Sequence, residues 1–126
     1  GVIHAQQADA RGNVQLWGIS GVQKEVVLGA KRSIVTVEEI VEELDQKPGS
    51  TQLPAWTVTA VCECPGGAHP SYSHGYYDRD NAFYVSWDGI SRDRDRFLAW
   101  MQSHVLDTAD VAEYHRMLSE SEATRV

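Results

Sequence analysis

Apolar and polar positions alternate along the first part of the chain in a way that is typical of short strands. Residues 2–8 form a partly apolar run, and residues 14–17 resume an extended pattern. Between these two runs, Gly12 and Asn13 form a turn signal. The pattern therefore predicts a strand, a turn and a second strand.

A helix and a further strand are predicted next. Residues 22–28 carry apolar side chains at helical spacing and predict a short helix, on which Val22, Val26 and Ala30 share one face. A β-branched run at residues 33–37 follows the basic pair Lys31-Arg32, which suits a helix end that leads into a buried strand. This strand is expected to lie parallel to an earlier one, as in an α/β unit.

The middle of the chain predicts one more helical segment and one more strand. Residues 38–44 have apolar positions at helical spacing with acids between them, so we expect a turn or two of helix with a solvated acidic face. Pro48 and Gly49 end this segment. Residues 57–64 are rich in β-branched side chains and predict a core strand.

A long loop is predicted from Cys64 to Asp80, because its glycines and prolines disfavour both helix and strand. Ordering such a loop loses backbone entropy, and loops of this kind tend to carry a binding or catalytic role. Ligands of open α/β sheets bind beyond the carboxyl ends of strands, which is where this loop begins. Residues 66–80 are therefore the candidate site loop, and residues 1–65 the strand-and-helix part before it.

Residues 81–121 are predicted to be helical. The apolar stripe of the first helix contains Phe83, Tyr84 and Trp87, and that of the second contains Phe97, Leu98, Trp100, Met101 and Val105. Ser91 is the predicted N-cap of the second helix, and Asp107 or Thr108 that of the last. Residues 119–126 are expected to fray.

Composition and charge narrow the classes of partner. The 126 residues, 42% of them hydrophobic, suffice for one domain with a core. A net charge of −7 argues against a nucleic-acid partner, because phosphate binding needs clustered Lys and Arg. The sequence contains neither an apolar run of the roughly 20 residues that span a bilayer nor a signal-peptide profile, so we expect a cytoplasmic protein without a membrane partner.

The two cysteines, Cys62 and Cys64, lie two positions apart in an apolar stretch. On a strand they would point the same way but stand too far apart to bridge easily. They are expected to be reduced, buried thiols rather than a redox pair.

The residues of the loop leave its chemistry open. His69 and His74, with nearby acids and cysteines, offer donor atoms for zinc, but their spacing matches no metal pattern and no metal site is expected. Ser71 or Ser73 could join a histidine in a Ser-His-Asp assembly, but the sequence has no Gly-x-Ser-x-Gly elbow. Residues 18–21 precede a helix and could hold an anion, but they lack the lysine of a P-loop and are interpreted as a tight turn.

Several segments together resemble the second half of the alpha subunit of family I CoA-transferases, the glutaconate and 3-oxoacid type. They are HAQQAD and GNVQ at residues 4–9 and 12–15, AKRSIVTVEEIV at residues 30–41, Leu53-Pro54, and PGGAHP at residues 65–70. The resemblance runs in register from His4 to about Trp100. Any one segment would be unspecific, but the combination is specific.

The resemblance implies an α/β fold of the CoA-transferase type, an open sheet with flanking helices and C-terminal helices, present here as a partial domain. It also implies a partner, the beta subunit, with an active site between the two subunits. In that mechanism a glutamate attacks an acyl-CoA, an enzyme-bound CoA thioester forms, and CoA passes to a second carboxylic acid. The thioester is a substrate and no cofactor is bound. The glutamate belongs to the beta subunit, so this role is not transferred to Glu38, Glu39 or Glu63, which are interpreted as surface or strand-end charges.

Two departures from the family pattern matter. The family's alpha subunits are roughly twice as long, so the chain resembles their C-terminal half and is expected to expose sheet edges and apolar surface that self-association or the missing half would cover. The aromatic run at residues 74–81 is more similar to an actinobacterial branch, some of whose members hydrolyse a ring in a CoA thioester during steroid breakdown. Transfer and ring hydrolysis both remain open.

Within this interpretation, His69 is the best candidate for a polar contact to the acyl thioester or for orienting the partner's glutamate, and Gly67 permits close backbone approach. His69 could instead only tie down its own loop. The acyl pocket or the subunit interface is expected to be lined by Tyr72, His74, Tyr76 and Tyr77. A hypothesis of another class is a non-catalytic module whose aromatic loop docks a partner protein.

Overall fold

The computed structural model describes residues 1–123, which form two compact units. The first unit comprises Gly1–Asp78, and the second begins at Arg79. The boundary lies inside the predicted loop. No helix within the described range is long and apolar enough to cross a membrane.

A mixed five-stranded sheet organises the first unit. Its strands are β1 (Val2–Asp9), β2 (Val14–Leu16), β3 (Ile34–Val41), β4 (Thr51–Leu53) and β5 (Ala60–Glu63). They lie in the order β4-β2-β1-β3-β5. The β1–β3 and β3–β5 pairs are parallel, and the β1–β2 and β2–β4 pairs are antiparallel. The predicted α/β fold, with β3 parallel to β1, is confirmed.

The core lies where β-branched and small side chains of neighbouring strands meet. Val35 and Val37 are fully buried, opposite Ile3 and Ala5 of β1. Helix α1 (Gln23–Gly29) adds Val27 to this cluster. The short helix predicted here is confirmed; its buried residue is Val27, whereas Val22 is 68% and Val26 36% exposed. A helix of two turns leaves its contact face undetermined by spacing alone.

The helix predicted at residues 38–44 is wrong, because β3 continues to Val41. Its residues pair with β1 from Val2 opposite Ile34 to Asp9 opposite Val41. This long ladder satisfies the backbone, whereas an isolated helix of two turns is unstable. The acids therefore lie on a strand.

The strand predicted at residues 57–64 is shorter than expected and lies at an edge of the sheet. A 3₁₀ turn spans Ala55–Thr57, and β5 pairs only with β3. Cys62 is exposed and Cys64 is half-buried, so the expectation of buried thiols is wrong. Neither cysteine forms a disulfide. Apolar side chains are exposed on neighbouring strands as well, with Val2 70% and Ile34 44% exposed.

The second unit is helical, as predicted. It contains α2 (Asn81–Ser91), α3 (Arg94–Met101), a π-helical turn (Gln102–Leu106) and α4 (Val111–Ala123). Trp87 and Trp100 meet edge to face, with ring centroids 4.8 Å apart. Several members of the predicted stripes point outward instead: Tyr84, Leu98 and Val105 are exposed.

The predicted helix caps in this unit are wrong by a few residues. Ser91 ends α2, and the Asp93 carboxylate caps α3 by accepting from the N–H of Arg96. Asp110 accepts from the N–H of Glu113 at 2.8 Å at the start of α4. A carboxylate that accepts from an N–H three residues ahead is the usual capping arrangement. Helix α4 extends into the segment expected to fray, of which residues 124–126 lie outside the described residues.

Candidate functional site

Three polar side chains project together from the centre of the sheet. Thr36 and Glu38 are two residues apart on β3, and His4 of β1 lies opposite Thr36. Alternation along strands therefore places all three on one face. The Nδ1 atom of His4 lies 2.8 Å from the Thr36 hydroxyl oxygen, and its Nε2 atom lies 2.6 Å from Oε1 of Glu38.

The predicted site loop closes over Glu38. The hydroxyl of Tyr77 donates to Oε1 of Glu38 at 2.6 Å, and the N–H of Gly66 donates to Oε2 at 2.8 Å. The Tyr77 oxygen in turn accepts from the N–H of Ala68 at 2.9 Å. Glu38, which is only 5% exposed, is thus the anchor that fixes the loop to β3.

Hydrogen bonding determines the charge of this buried carboxylate. Burial acts to raise the pKa of Glu38, but the hydrogen bonds from Tyr77, Gly66 and His4 together hold that pKa below its usual value. Because an ionised carboxylate only accepts, the proton between the two groups belongs to Nε2 of His4. Burial and the bond to Glu38 raise the pKa of Tyr77, which therefore stays protonated. Burial and the Glu38 charge also raise the pKa of the Cys64 thiol, which disfavours a thiolate nucleophile.

A second acid holds the neighbouring tyrosine. Glu39 accepts from the side-chain amide of Gln7, and it is hydrogen-bonded to Tyr76. Burial and the Glu39 charge raise the pKa of Tyr76 to about 12. The Tyr76 ring also lies against Trp17, with ring centroids 6.3 Å apart. Consecutive acids of β3 therefore anchor consecutive tyrosines of the loop.

Two clefts lie along the loop. One, of about 290 Å³, is bounded by the loop segment from Ser71 to Ser73, by His4 and by Gln23 of α1. The other, of about 220 Å³, is lined by Tyr72, His74, Tyr76 and Tyr77. Tyr72 borders both clefts. No group of three or more His, Cys, Asp and Glu side chains in the described part of the chain is arranged to hold a metal ion.

The geometry disfavours a hydrolytic triad in the first cleft. A serine there would need a histidine nitrogen as its base. His4 has a carboxylate on one nitrogen, as a triad requires, but its other nitrogen is bonded to Thr36 and not to a serine. The arrangement instead offers a rigid wall, because charged and hydroxyl groups hold the loop in one position.

Comparisons with known proteins identify the family. No protein-family model matches the chain. It is 57% identical, over 119 residues and 94% of its length, to the A subunit of the 3-oxoadipate CoA-transferase of Pseudomonas knackmussii. The chain belongs to the alpha subunits of the family I CoA-transferases. The resemblance seen in the sequence is thereby confirmed.

Another member of this CoA-transferase family agrees in sequence and in fold. The chain is 39% identical, over 99% of its length, to the A subunit of the glutaconate CoA-transferase of Acidaminococcus fermentans. The crystal structure of glutaconate CoA-transferase from that organism matches 93% of the chain with a TM-score of 0.84. A structure of the decarboxylase AibA/AibB matches 80% of the chain at 31% identity with a TM-score of 0.61. The chain spans 42% of the length of the first CoA-transferase relative and 39% of the second.

Three of the loop residues predicted for the site, His74, His69 and Gly67, contact the protein itself. His74 packs against Gly18, where an added Cβ would lie 3.0 Å from the Cβ of His74. His69 is half-buried, its N–H donates to the carbonyl of Gly66 at 3.1 Å, and it borders neither of the two clefts. Gly67 permits a close approach, but to the protein itself: an added Cβ would lie 3.0 Å from Cε1 of His4 and 2.9 Å from the carbonyl oxygen of Cys64.

Sequence reasoning missed the two residues at the centre of this arrangement. Glu38 was expected to be a surface or strand-end charge, and it is buried with three donors around it. His4 was noted only as the first residue of the HAQQAD segment, and no role was predicted for it. A usable signal existed, since Thr36 and Glu38 alternate with apolar Val35 and Val37 in the β-branched run.

Proposed function

We propose that this chain is part of the alpha subunit of a heteromeric acyl-CoA:carboxylate CoA-transferase. It would form one wall of an active site whose glutamate nucleophile lies on the beta subunit. The observation that carries the proposal is the 57% identity, over 94% of the chain, to a protein named as the A subunit of 3-oxoadipate CoA-transferase. The site loop anchored on Glu38 and Glu39 is the wall in question.

The hydrogen bonds made by the glutamate side chains near the loop support a nucleophile on the other subunit. Both oxygens of Glu38 accept hydrogen bonds, and Glu39 is held by Gln7 and Tyr76. Glu63 accepts from the N–H of Ile40 at 2.7 Å. A carboxylate that attacks a thioester needs a free oxygen within reach of the carbonyl carbon. Glu38, with both oxygens engaged, is therefore better suited to hold the wall in place than to attack.

The names of the relatives suggest the substrate class. Both 3-oxoadipate and glutaconate are dicarboxylic acids, so the proposed acceptor is a dicarboxylic acid and the donor an acyl-CoA thioester. The CoA ester is a substrate, and no bound cofactor is needed for the proposed exchange. A cytoplasmic location and a role in the breakdown of fatty acids or steroids stay predictions.

Other reactions on this fold are less well supported. The ring hydrolase of steroid breakdown lacks a counterpart among the relatives described above, whose names are CoA-transferases and a decarboxylase. The match to the decarboxylase is weaker than those to the transferases, with 31% identity against 57% and 39%.

An exchange assay separates these reactions. The complete alpha subunit is paired with its beta subunit, and isotopically labelled 3-oxoadipate or glutaconate is supplied with an acyl-CoA donor. A transferase moves CoA onto the labelled acid and, when the acid is left out, consumes no more than one equivalent of thioester per active site, because the enzyme-bound CoA thioester cannot pass its CoA on. A ring-opened product with CoA still attached, or release of CO₂ without an acceptor, would contradict the proposal.

A His69→Ala variant separates catalysis from docking in the same assay. If His69 contacts the thioester or orients the partner's glutamate, kcat falls while the two subunits still copurify. A His115→Ala variant in the second unit is the matched control and should leave kcat unchanged. An unchanged kcat at saturating beta subunit, with only a weaker association between the subunits, would show that the loop docks the partner and has no catalytic part.

A further inference from the structure

One lysine lies over an aromatic side chain beside the site loop. The Nζ atom of Lys47 is 4.1 Å from the ring centroid of Trp17, within the range of a cation–π contact. Both residues are half-buried. None of the ion pairs among the described residues includes Lys47. The contact of its ammonium is therefore with the indole and not with a carboxylate.

A tight turn fixes the backbone from which this lysine side chain extends. In the turn of residues 47–50, the carbonyl of Lys47 accepts from the N–H of Ser50 at 3.1 Å and from its hydroxyl at 2.7 Å. Pro48 at the second position and Gly49 at the third, with a φ of +75°, are the residues that a type II turn prefers. The fully buried Gln15 of β2 donates its side-chain amide to the Ser50 hydroxyl at 2.7 Å. The turn is thus bonded to the sheet, which limits the positions that Lys47 can take.

The Trp17 indole in turn contacts the site loop. Its ring centroid lies 6.3 Å from that of Tyr76, and an added Cβ on Gly75 would lie 3.7 Å from its Nε1 atom. The backbone of Trp17 is fixed separately, because its N–H and its carbonyl both bond to the buried side chain of Gln6. The orientation of the ring therefore depends on its side-chain contacts, and Lys47 and the loop provide two of them.

The ring lies between the two clefts of the site. Trp17 lines the cleft of about 290 Å³, and its neighbour Tyr76 lines the cleft of about 220 Å³. Ordering a long irregular loop costs backbone entropy, so such a loop keeps one position only where contacts of this kind hold it. A change in the ring's orientation would alter the walls of both clefts.

We propose that Lys47 is a positioning residue, whose ammonium holds the Trp17 indole against Gly75 and Tyr76 and thereby keeps the site loop in place. Lys47 acts through Trp17 and touches no reacting group. The proposal rests on the proposed CoA-transferase function, since the cleft that it keeps in shape is the one whose tyrosines are predicted to line the acyl pocket.

Hydrogen exchange of the loop in the complete alpha subunit tests the contact without any need for activity. The amides of Ser73, Tyr76 and Tyr77 are hydrogen-bonded within the loop, so their exchange reports its opening. Losing a cation–π contact in Lys47→Gln should speed exchange of the peptide spanning residues 73–77 about two- to fivefold, and leave peptides of the second unit unchanged.

Two further variants control this experiment. Lys47→Arg keeps a cation that can lie over the ring, and should exchange like the wild type. Lys24→Gln makes the same change of charge on the exposed side of α1, and should also exchange like the wild type. Equal loop exchange in Lys47→Gln and the wild type would overturn the proposal. Acceleration throughout the chain, or in Lys24→Gln as well, would show a general effect and overturn it too.

Steady-state kinetics of the assembled enzyme measure the consequence for the reaction. Lys47→Gln should raise the KM for acyl-CoA about two- to fivefold and leave kcat unchanged, because the wall binds the substrate while the proposed nucleophile lies on the other subunit. Lys47→Arg should restore the wild-type KM, and Lys24→Gln should not change it. An unaltered KM in Lys47→Gln would overturn the role of Lys47 in the reaction.

A double-mutant cycle shows whether Lys47 acts through Trp17. Trp17→Leu removes the ring, so adding Lys47→Gln to it should change neither the loop exchange nor the KM any further. A second rise in KM of the same size would show that Lys47 attracts the substrate by its charge, which overturns the positioning role. Failure of the proposed function looks different: a wild-type enzyme that transfers no CoA, with loop exchange that still depends on Lys47, would overturn the transferase and leave the contact with Trp17 standing.

Discussion

Replacing Glu38 by glutamine should loosen the site loop without changing the size of the side chain. The carboxylate accepts from Tyr77 at 2.6 Å, from Gly66 at 2.8 Å and from His4 at 2.6 Å. Glutamine has one oxygen in place of two, so its NH₂ group must face at least one of these donors. The substitution therefore removes a charge and places the glutamine NH₂ group opposite another hydrogen-bond donor.

The size of the effect follows from the bonds that are lost. A hydrogen bond to a charged group contributes about 1.5–3 kcal/mol, and an unsatisfied buried donor costs about 1–3 kcal/mol. Part of the network survives, because the glutamine oxygen still accepts. We therefore expect Glu38→Gln to lower the free energy of unfolding by about 2–4 kcal/mol at pH 7.

The same carboxylate makes stability depend on pH. The pKa of Glu38 in the folded protein lies below its usual value, so the unfolded state binds more protons between the two pKa values. Stability from this group is therefore complete above the ordinary glutamate pKa of 4.5, and is lost as the pH falls through the lower, folded value. The difference between wild type and Glu38→Gln should shrink over that acidic range.

Urea unfolding followed by circular dichroism measures both effects. Glu42→Gln is the control, because Glu42 lies just beyond β3 and is exposed. It should change the free energy of unfolding by no more than about 0.5 kcal/mol. If Glu38→Gln lies within the same range at pH 7, the buried network does not hold the loop, and the reasoning above is refuted.

Two further predictions concern packing and thiol reactivity. Gly67→Ala should destabilise the protein by about 1–3 kcal/mol in urea unfolding, because its Cβ would lie 2.9 Å from the Cys64 carbonyl oxygen. Gly89→Ala in α2, which meets no atom within 4 Å, should stabilise by about 0.5–1 kcal/mol, and the same sign for both variants would contradict the packing argument. Cys62, which is exposed, should react with iodoacetamide at neutral pH before Cys64, because burial and the Glu38 charge raise the pKa of Cys64. Peptide mass spectrometry at short times measures both rates, and equal rates would contradict the assigned environments.

Local signals in the sequence were sufficient for much of the architecture. The run of β-branched residues before Glu38 predicted a strand, and the glycines and prolines between Cys64 and Asp80 predicted a long loop. Such signals act within a few residues of the chain, so they survive whatever the rest of the fold does. The family followed from several short segments that occur in one order.

Errors arose where a local pattern was compatible with two structures. Apolar positions at residues 37, 40, 41 and 44 suit a helical stripe, but the backbone of this segment pairs with β1 instead. Spacing also did not identify Val27 as the buried residue of α1, because the sheet that covers the helix is assembled from distant strands. Spacing alone contains no information about such distant partners.

The sequence by itself determined the first two strands and their turn, the long loop, the helical second unit, the family, and the set of aromatic and titratable side chains carried by the loop from Cys64 to Asp80. Only the tertiary structure decided which of those side chains face a cleft and which hold the loop in place. Glu38 meets His4 and Tyr77 across 34 and 39 residues of chain, respectively. Parallel pairing of β1 with β3 places His4 beside Glu38, and the returning loop adds Tyr77. Burial and these hydrogen bonds then convert an acid expected at the surface into the buried anchor of the candidate site.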